Sequence, residues 1–223
     1  MITANNLRFS WPDQALLNIP QWQVAAGETV FLSGASGSGK STLLALLAGL
    51  MPPTQGELTV AGARLDQLNQ RQRDRWRAKH LGVIFQQFNL LPYLSALDNI
   101  LLGARFRGLP LKEARPSAIA LAHQLALDDS LLVKPASQLS TGQQQRVAAV
   151  RALIGAPEVL IADEPTSALD DARRDHFMQL LLQQSQEQGT TVIFVSHDLR
   201  LARHFQTHIP LHELNEAAVC SPE

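Results

Sequence analysis

Apolar and polar residues follow two different patterns along the chain. Segments rich in β-branched and other apolar residues predict strands at 2–9, 28–33, 57–61, 81–85, 159–162 and 191–195. Segments rich in leucine, alanine or charged residues predict helices at 43–48, 70–79, 95–105, 111–127, 142–155 and 170–187. The last two strands are continuous apolar runs, which is typical of parallel strands covered on both faces. The pattern therefore predicts an α/β protein.

The order of the elements indicates how the chain is organised. From about 91 to 155 every predicted element is helical, whereas strands dominate on both sides. We expect one domain over residues 1–223, in which 1–90 and 156–223 form the β-rich core and about 91–155 an all-helical subdomain. Trp11-Pro12-Asp13 predicts a turn between strand candidates. The end of the chain, HIPLHELNEAAVCSPE, has no glycine, so we do not expect a regular terminal hairpin there.

The composition of the chain argues against nucleic acid as its main partner and against a membrane-spanning segment. With 45% hydrophobic and 17% charged residues the chain reads as a soluble globular protein, and a net charge of −1 gives no basic excess for nucleic acid. The single cysteine, Cys220, excludes an intrachain disulfide and agrees with a reducing, cytoplasmic setting. We expect no signal peptide, and the longest apolar run, Leu43 to Met51, is shorter than the roughly 20 residues of a membrane span. A membrane role therefore requires a partner.

A phosphate-binding motif lies between the strand at 28–33 and the helix after it. Gly34 to Ser41 match the pattern G-x-x-x-x-G-K-[ST] in its required context. Glycines let the backbone fold so that successive N–H groups point at phosphate oxygens, and the helix adds its positive N-terminal end. We expect Lys40 to reach the β- and γ-phosphates of ATP and Ser41 to ligate Mg²⁺. The predicted cofactor-binding residues here are Gly34, Ala35, Ser36, Gly37, Ser38, Gly39, Lys40, Ser41 and Thr42.

Two adjacent carboxylates follow the apolar strand at 159–162. Asp163 and Glu164 would, taken alone, be typical of a solvated strand end. Behind a complete phosphate loop they have a chemical use, because one carboxylate suits the Mg²⁺ and the next polarises the attacking water. We therefore predict that Asp163 holds the metal and that Glu164 acts on the water in a P-loop NTPase core.

Further motifs resemble the ATP-binding-cassette family. Residues 139–146, LSTGQQQR, are similar to its LSGGQ signature, with Thr141 where glycine is usual. Gln86 resembles the Q-loop glutamine, Ser167-Ala168-Leu169-Asp170 the D-loop, and His197 the switch histidine. Trp11 lies where the family often stacks an aromatic residue on adenine, with Phe9 as its competitor. The resemblance covers residues 3 to about 205.

The resemblance implies a parallel sheet flanked by helices, an N-terminal antiparallel β subdomain and a helical insertion. It also implies a head-to-tail pair of subunits, either two copies or a paralogue, that encloses ATP. Ser140, Gly142, Gln143 and Asp170 would then contact the nucleotide held by the other subunit. His197 would contact the γ-phosphate, and Gln86 both metal and water. In the family such subunits hydrolyse ATP at the cytoplasmic face of the membrane, bound to permease subunits.

The sequence around Gln86, GVIFQQFNLLP, looks most like that of the LolD/MacB-like branch, which comprises lipoprotein-releasing and macrolide-exporting systems. An FtsE-like mechanical regulator and a polar amino-acid importer ATPase are the alternatives. We expect Thr141 to leave activity unchanged or slowed.

Two further segments allow more than one interpretation. The apolar loop 88–93 either packs inside the helical part or lines a groove that receives a helix of a membrane subunit. The alternating basic residues between 71 and 79 predict a solvated helix face, with lipid headgroups or nucleic acid as minor alternatives. These residues are Arg71, Arg73, Arg75, Arg77 and Lys79.

Overall fold

The structure is a computed structural model that describes residues 1–11, 14–35, 37–166 and 171–217. Of Trp11, Gln14, Ala15, Asp171 and Ala172 it describes only the backbone. In this part of the chain, no helix combines the length and the apolar character that a membrane crossing requires.

Two β-sheets form the frame of the molecule. The antiparallel sheet has the order β2-β1-β4-β5, and the parallel sheet the order β6-β7-β8-β3-β9. The first consists of β1 (Ile2–Trp11), β2 (Gln14–Val24), β4 (Gln55–Val60) and β5 (Ala63–Arg64). The second consists of β3 (Thr29–Ser33), β6 (Leu81–Ile84), β7 (Val159–Asp163), β8 (Thr191–Val195) and β9 (Thr207–Pro210). This confirms the predicted α/β fold with an N-terminal antiparallel part.

Helices cover both faces of the parallel sheet. They are α1 (Lys40–Leu47), α2 (Gln70–His80), α3 (Ala96–Phe106), α4 (Leu111–Gln124), α5 (Asp129–Leu132), α6 (Thr141–Leu153), α7 (Asp171–Glu187) and α8 (Leu211–Leu214). Short 3₁₀ turns occupy 65–67, 136–138 and 199–204. Between residues 91 and 155 the named elements are all helical, which agrees with the predicted helical insertion.

Two hydrophobic cores meet at the parallel sheet. Along β3, Phe31 faces the core shared with α3, α4, α6 and α7, whereas Val30 and Leu32 face the core shared with α1 and the antiparallel sheet. Such alternation follows from the two-residue period of a strand. The sheet is thus buried on both faces, and only its edges and strand ends can carry polar chemistry.

The basic face predicted for α2 is only partly solvated. Arg71, Arg75 and Lys79 are exposed, but Arg73 is buried and its Nε donates to the carbonyl oxygen of Gly49 at 3.1 Å. Arg77 donates to the same carbonyl at 3.2 Å. The last carbonyls of a helix lack intrahelical partners, so these two arginines satisfy the C-terminal end of α1. The prediction of a solvated face was therefore wrong for Arg73, whereas Arg71, Arg75 and Lys79 agree with it.

The C-terminal part contains a strand that the sequence did not reveal. Residues Thr207–Pro210 add β9 in parallel to β3, and α8 follows directly. Up to residue 217 this segment forms no β-hairpin, as expected. Further along, residues 218–223 lie outside the described part of the chain.

Candidate active site

A cavity of about 580 Å³ opens where the strands β3, β6, β7 and β8 end. Parallel strands present their carboxyl ends at one edge of a sheet, so residues far apart in sequence meet there. The residues that line the cavity are Leu16, Gly34, Ala35, Gly37, Gly39, Lys40, Ser41, Thr42, Gln86, Asp163, Glu164 and His197. All four predicted catalytic residues and the three predicted metal ligands are therefore in one place.

The glycines of the loop are required by its conformation. Gly37 and Gly39 have φ angles of 78° and 98°, in the left-handed region that favours glycine. A Cβ atom added at Gly39 would lie 3.0 Å from Cδ2 of Leu17. One added at Gly34 would lie 2.8 Å from Oγ of Ser38. The loop therefore folds tightly only with glycine at these positions.

The polar groups of the loop form a cradle for an anion. The Lys40 ammonium group donates to the carbonyl oxygens of Gly34, at 2.7 Å, and Ala35, at 2.6 Å, and so lies over the loop. The Ser38 hydroxyl is buried without a hydrogen-bond partner. Because α1 begins at Lys40, its first N–H groups have no acceptor within the helix. A cation, an unpaired hydroxyl and helix N–H groups together fit a polyphosphate.

The acidic pair sits opposite the loop. Asp163 ends β7, and burial raises the pKa of its carboxyl, with the negative charge of Glu164 raising it further and Lys40 opposing both. Glu164 adopts a left-handed φ of 43°, and its N–H donates to the carbonyl oxygen of Val195 at 2.9 Å. Non-glycine residues in that region are strained, which is common where a functional side chain must be aimed. A divalent cation beside Asp163 would favour its charged form, so this carboxyl fits a metal.

Glu164 and His197 form a pair at the mouth of the cavity. Nδ1 of His197 lies 2.9 Å from Oε2 of Glu164. The histidine follows β8, and 68% of its side chain is exposed, whereas only 20% of the Glu164 side chain is. Gln86 is exposed after β6. The carboxylate is thus held from one side and remains open toward the loop.

The signature residues lie elsewhere in the chain. Ser140 is the N-cap of α6, and its Oγ accepts from the N–H of Gln143 at 3.4 Å while the Gln143 side chain accepts from the N–H of Ser140 at 2.9 Å. This reciprocal capping box fixes the start of the helix. Neither residue lines the cavity, nor does Gly142. Ser36, Asp170 and the side chain of Trp11 lie outside the described residues.

One lining residue was missed by sequence reasoning. Leu16 on β2 contributes an apolar side chain to the cavity. Its contribution is set by the long-range pairing of β2 with β1, which has no local motif. A leucine in a strand ordinarily indicates core packing, so the sequence carried no signal for it.

Comparison with known proteins identifies the class. A sequence model of the ABC transporter family matches residues 17–167, about two thirds of the chain. The chain therefore belongs to the ABC transporter family, as an ATP-binding subunit that hydrolyses ATP.

Individual relatives sharpen the comparison. The chain is 50% identical to the ABC transporter ATP-binding protein YbbA of Escherichia coli K12 over 179 residues, which cover 80% of this chain and 78% of YbbA. It is 40% identical to the lipoprotein-releasing system ATP-binding protein LolD of Hydrogenovibrio crunogenus, over 96% of this chain and 94% of LolD. Among solved structures it resembles the cassette MJ0796 in a dimeric post-hydrolysis state bound to ADP and Pi, with TM-score 0.84, 34% identity and 94% coverage of both chains.

Proposed function

We propose that this chain is the motor subunit of a LolD-like membrane system, in which ATP-driven pairing of two cassettes moves a membrane permease. The observation that carries the proposal is the contact of His197 with Glu164 across from the phosphate loop. The relationship to LolD over nearly the whole of both chains supports this branch.

Each cavity residue receives a role in the reaction of ATP with water to give ADP and phosphate. Lys40 and the loop N–H groups bind the β- and γ-phosphates and stabilise the charge that develops on them. Ser41, Gln86 and Asp163 hold Mg²⁺, which neutralises phosphate charge when bound. Glu164 accepts a proton from the attacking water, because its carboxylate lines the cavity together with the loop and contacts the imidazole of His197.

His197 both orients Glu164 and faces the phosphate. With a proton on Nδ1 the imidazole donates to Glu164, and with a second proton on Nε2 it also donates to the γ-phosphate. This arrangement would keep the carboxylate aimed at a water bound between it and the loop. Gln86 completes the set by touching the attacking water.

A second subunit would complete the nucleotide site. The N-terminus of α6, with Ser140, Gly142 and Gln143, does not line the cavity of its own chain, so it is available to another copy. A helix N-terminus favours anions, and this one would close over the γ-phosphate held by the partner loop. We assign Trp11 to stacking on adenine, Ser36 to the phosphate loop and Asp170 to the contact between subunits. The MJ0796 cassette, solved as a dimer with ADP and Pi, supports this arrangement.

The permease partner would bind a groove beside α2 and α3. This groove, also about 580 Å³, is lined by Asp74, Arg77, Ala78, Leu81, Gly82, Val83, Phe85, Asn89, Leu91, Leu102, Gly103, Phe106, Arg107, Arg151 and Ala152. Phe106 and Phe85 are 73% and 41% exposed, which is unusual for phenylalanine. The loop at 88–93 was expected either to pack inside the helical part or to line a groove, and different residues of it do each. Phe88 is in the core, while Asn89 and Leu91 line the groove.

The charges of the groove define its occupant. Burial lowers the pKa of Arg107 and of Arg151, and within the described residues neither guanidinium pairs with a carboxylate. Arg107 donates to the carbonyl oxygens of Lys79, at 2.7 Å, and Leu81, at 2.8 Å. Arg151 donates to the carbonyl oxygen of Asn89 at 2.6 Å. We therefore propose that a permease helix with an apolar anchor and a carboxylate binds here. We also propose that the chain works at the cytoplasmic face of the membrane, as the resemblance to the family implies.

Glu164→Gln tests the catalytic assignment. The amide keeps the size of the side chain but cannot accept the proton, so ATP binding persists while hydrolysis falls by about 10²–10⁴-fold. ATP then remains bound, and the variant accumulates as a dimer. Phosphate release and sedimentation of the purified protein with Mg²⁺ and ATP measure both effects. Hydrolysis at the wild-type rate in this variant would refute the proposed function.

A matched pair of substitutions tests the groove. Phe106 and Tyr93 are both aromatic residues with 73% and 74% of their surface exposed, but only Phe106 lines the groove. We expect Phe106→Asp to abolish co-purification with the membrane partner and Tyr93→Asp to preserve it. Equal retention of the partner by both variants would exclude the groove as its binding site.

A further inference from the structure

The C-terminal segment passes along the phosphate loop after leaving β9. The register of β9 with β3 runs from Val30 opposite Thr207 to Ser33 opposite Pro210, so α8 begins beside the loop. Leu211 is 1% exposed, and its Cβ would lie 3.4 Å from a Cβ atom added at Gly34. The first residue of α8 therefore packs against the first glycine of the loop.

Asn215 then ties the segment to β2. Its Oδ1 accepts from the N–H of Asn18 at 2.7 Å, and its Nδ2 donates to the carbonyl oxygen of Leu16 at 2.9 Å. The N–H of Glu216 donates to the carbonyl oxygen of Asn18 at 2.8 Å. Residues two apart in a strand present their backbone groups to the same edge. The Asn215 amide thus makes the bonds that a neighbouring strand would make.

The bonded part of β2 lies directly on the phosphate loop. Leu16 lines the nucleotide cavity, and its carbonyl oxygen would be 3.5 Å from a Cβ atom at Gly39. Its neighbour Leu17 is closer still, at 3.0 Å. In the described antiparallel sheet β2 is the outer strand, so on its free side the Asn215 segment supplies the pairing. The position of Leu16 therefore depends on a residue about two hundred positions further along the chain.

We infer that Asn215 is a positioning residue for nucleotide binding, which holds Leu16 as an apolar wall of the cavity. The inference rests on the nucleotide site proposed above. An isobutyl side chain cannot hydrogen-bond phosphate, so Leu16 contacts the nucleoside part of ATP. Asn215 itself touches no nucleotide and acts through the backbone of Leu16.

Asn215→Ala tests this inference with two probes. Loss of both side-chain bonds releases Leu16, and we expect ATP to bind about tenfold more weakly, whereas inorganic tripolyphosphate binds within about twofold of its wild-type affinity. Gln206→Ala is the matched control. Its Oε1 accepts from the N–H of Thr29 at 3.1 Å, so it also joins the C-terminal segment to the core, but it does not line the cavity. This control should lower thermal stability without changing either affinity.

A double-mutant cycle separates positioning from general stability. Leu16→Ala alone should weaken ATP but not tripolyphosphate, and adding Asn215→Ala should then have little further effect. Additive losses, an equal loss of both probes in Asn215→Ala, or a loss of ATP affinity in Gln206→Ala as large as in Asn215→Ala would overturn the inference. If Asn215→Ala does not fold, unchanged ATP affinity in Leu16→Ala overturns it. Failure of the wild-type protein to bind ATP would instead refute the proposed nucleotide site.

Discussion

The nucleotide cavity and the groove beside α2 and α3 have the same volume, about 580 Å³, but opposite arrangements of charge. In the cavity one lysine, Lys40, faces two carboxylates, Asp163 and Glu164. In the groove three arginines, Arg77, Arg107 and Arg151, face one carboxylate. The first arrangement fits a metal cation, which the carboxylates attract, together with a polyphosphate anion, which the lysine attracts. The second is left positive, and it fits a partner that brings a carboxylate.

Near the nucleotide cavity, in contrast to the groove, a carboxylate is paired with arginines of the same chain. Asp198, next to His197, accepts from Arg174 at 2.5 Å and from Nε of Arg200 at 2.9 Å. Hydrogen bonding to Arg200, more than the nearby charge of Arg174, lowers the pKa of Asp198 to about 2. Arg107 and Arg151, although half-buried, lack such a carboxylate among the described residues. The imbalance is therefore local to the groove, which supports a partner there.

The largest effect on nucleotide affinity is expected for Lys40→Ala. The substitution removes the cation of the phosphate cradle, and we expect ATP to bind about a hundredfold more weakly or worse. It also removes the charge that lowers the pKa of Asp163, so that pKa rises further and Mg²⁺ binding requires a higher pH. Calorimetric titration with ATP and Mg²⁺ at several pH values measures both. Lys79→Ala, at an exposed residue, is the control and should leave nucleotide affinity unchanged. Unchanged nucleotide affinity in Lys40→Ala would show that Lys40 does not bind the phosphates.

Two substitutions of the groove should act in opposite directions. Asp74→Asn removes the one carboxylate among the described residues that line the groove, and we expect the permease partner to bind about two- to fivefold more tightly. Arg77→Gln removes a cation and should weaken binding by a similar factor, because partly exposed charges contribute about 0.5–1 kcal/mol. Binding of the detergent-solubilised partner at low and high salt measures the effect, which salt should reduce. If both variants changed binding in the same direction, the charge argument would fail.

Asp198→Asn should lower stability chiefly by removing a paired charge. The carboxyl pKa is lower in the folded chain than its ordinary value of 3.8, so its contribution is complete above pH 3.8 and is lost as the pH falls toward 2. We expect a loss of about 1–2 kcal/mol in the free energy of unfolding at pH 7 and a flatter stability curve between pH 3.8 and 2. Denaturant titrations at a series of pH values test it. Asp129→Asn, at a side chain 81% exposed, should change neither.

The smallest effect is expected at Thr141, the first residue of α6. The residue is exposed and β-branched where the resemblance places glycine, so in the proposed paired arrangement it would crowd the approach of the partner's phosphate. Thr141→Gly should raise ATP turnover by about two- to threefold, in keeping with the small energies of exposed substitutions. Steady-state phosphate release measures it. A fall in turnover would mean that the hydroxyl or the branched carbon of Thr141 assists the reaction.

The sequence predicted the cavity better than the groove for a physical reason. Most cavity residues follow a strand or begin a helix, and the ends of parallel strands lie together at one edge of the sheet regardless of the conformation of the loops. The motifs singled out Gln86, Asp163 and His197, and the topology of the sheet brings these strand-end residues into one cavity. The half-buried arginines of the groove are held by backbone carbonyls of other elements, as Arg107 is by Lys79 and Leu81. Such contacts have no motif, and the same applies to Arg73 at the end of α1.

The pattern of apolar and polar residues did not predict the structure of the C-terminal segment. The chain from 205 to 217 lacks a long apolar run, and β9 has only four residues. Its pairing with β3 and the bonds of Asn215 to β2 join residues more than 170 positions apart. Sequence patterns report local preference, whereas these contacts depend on where the core places its open edges. The strand was therefore missed, although the lack of a hairpin was foreseen.

The central claim is that the loop at 34–41 binds a triphosphate whose metal and water are held by Asp163 and Glu164. A crystal structure with Mg²⁺ and a nonhydrolysable ATP analogue tests it most directly. The account predicts the γ-phosphate at Nζ of Lys40, the metal between Ser41 and Asp163, and a water at Glu164. Phosphates bound away from the loop, or an acidic pair that contacts neither metal nor water, would contradict it.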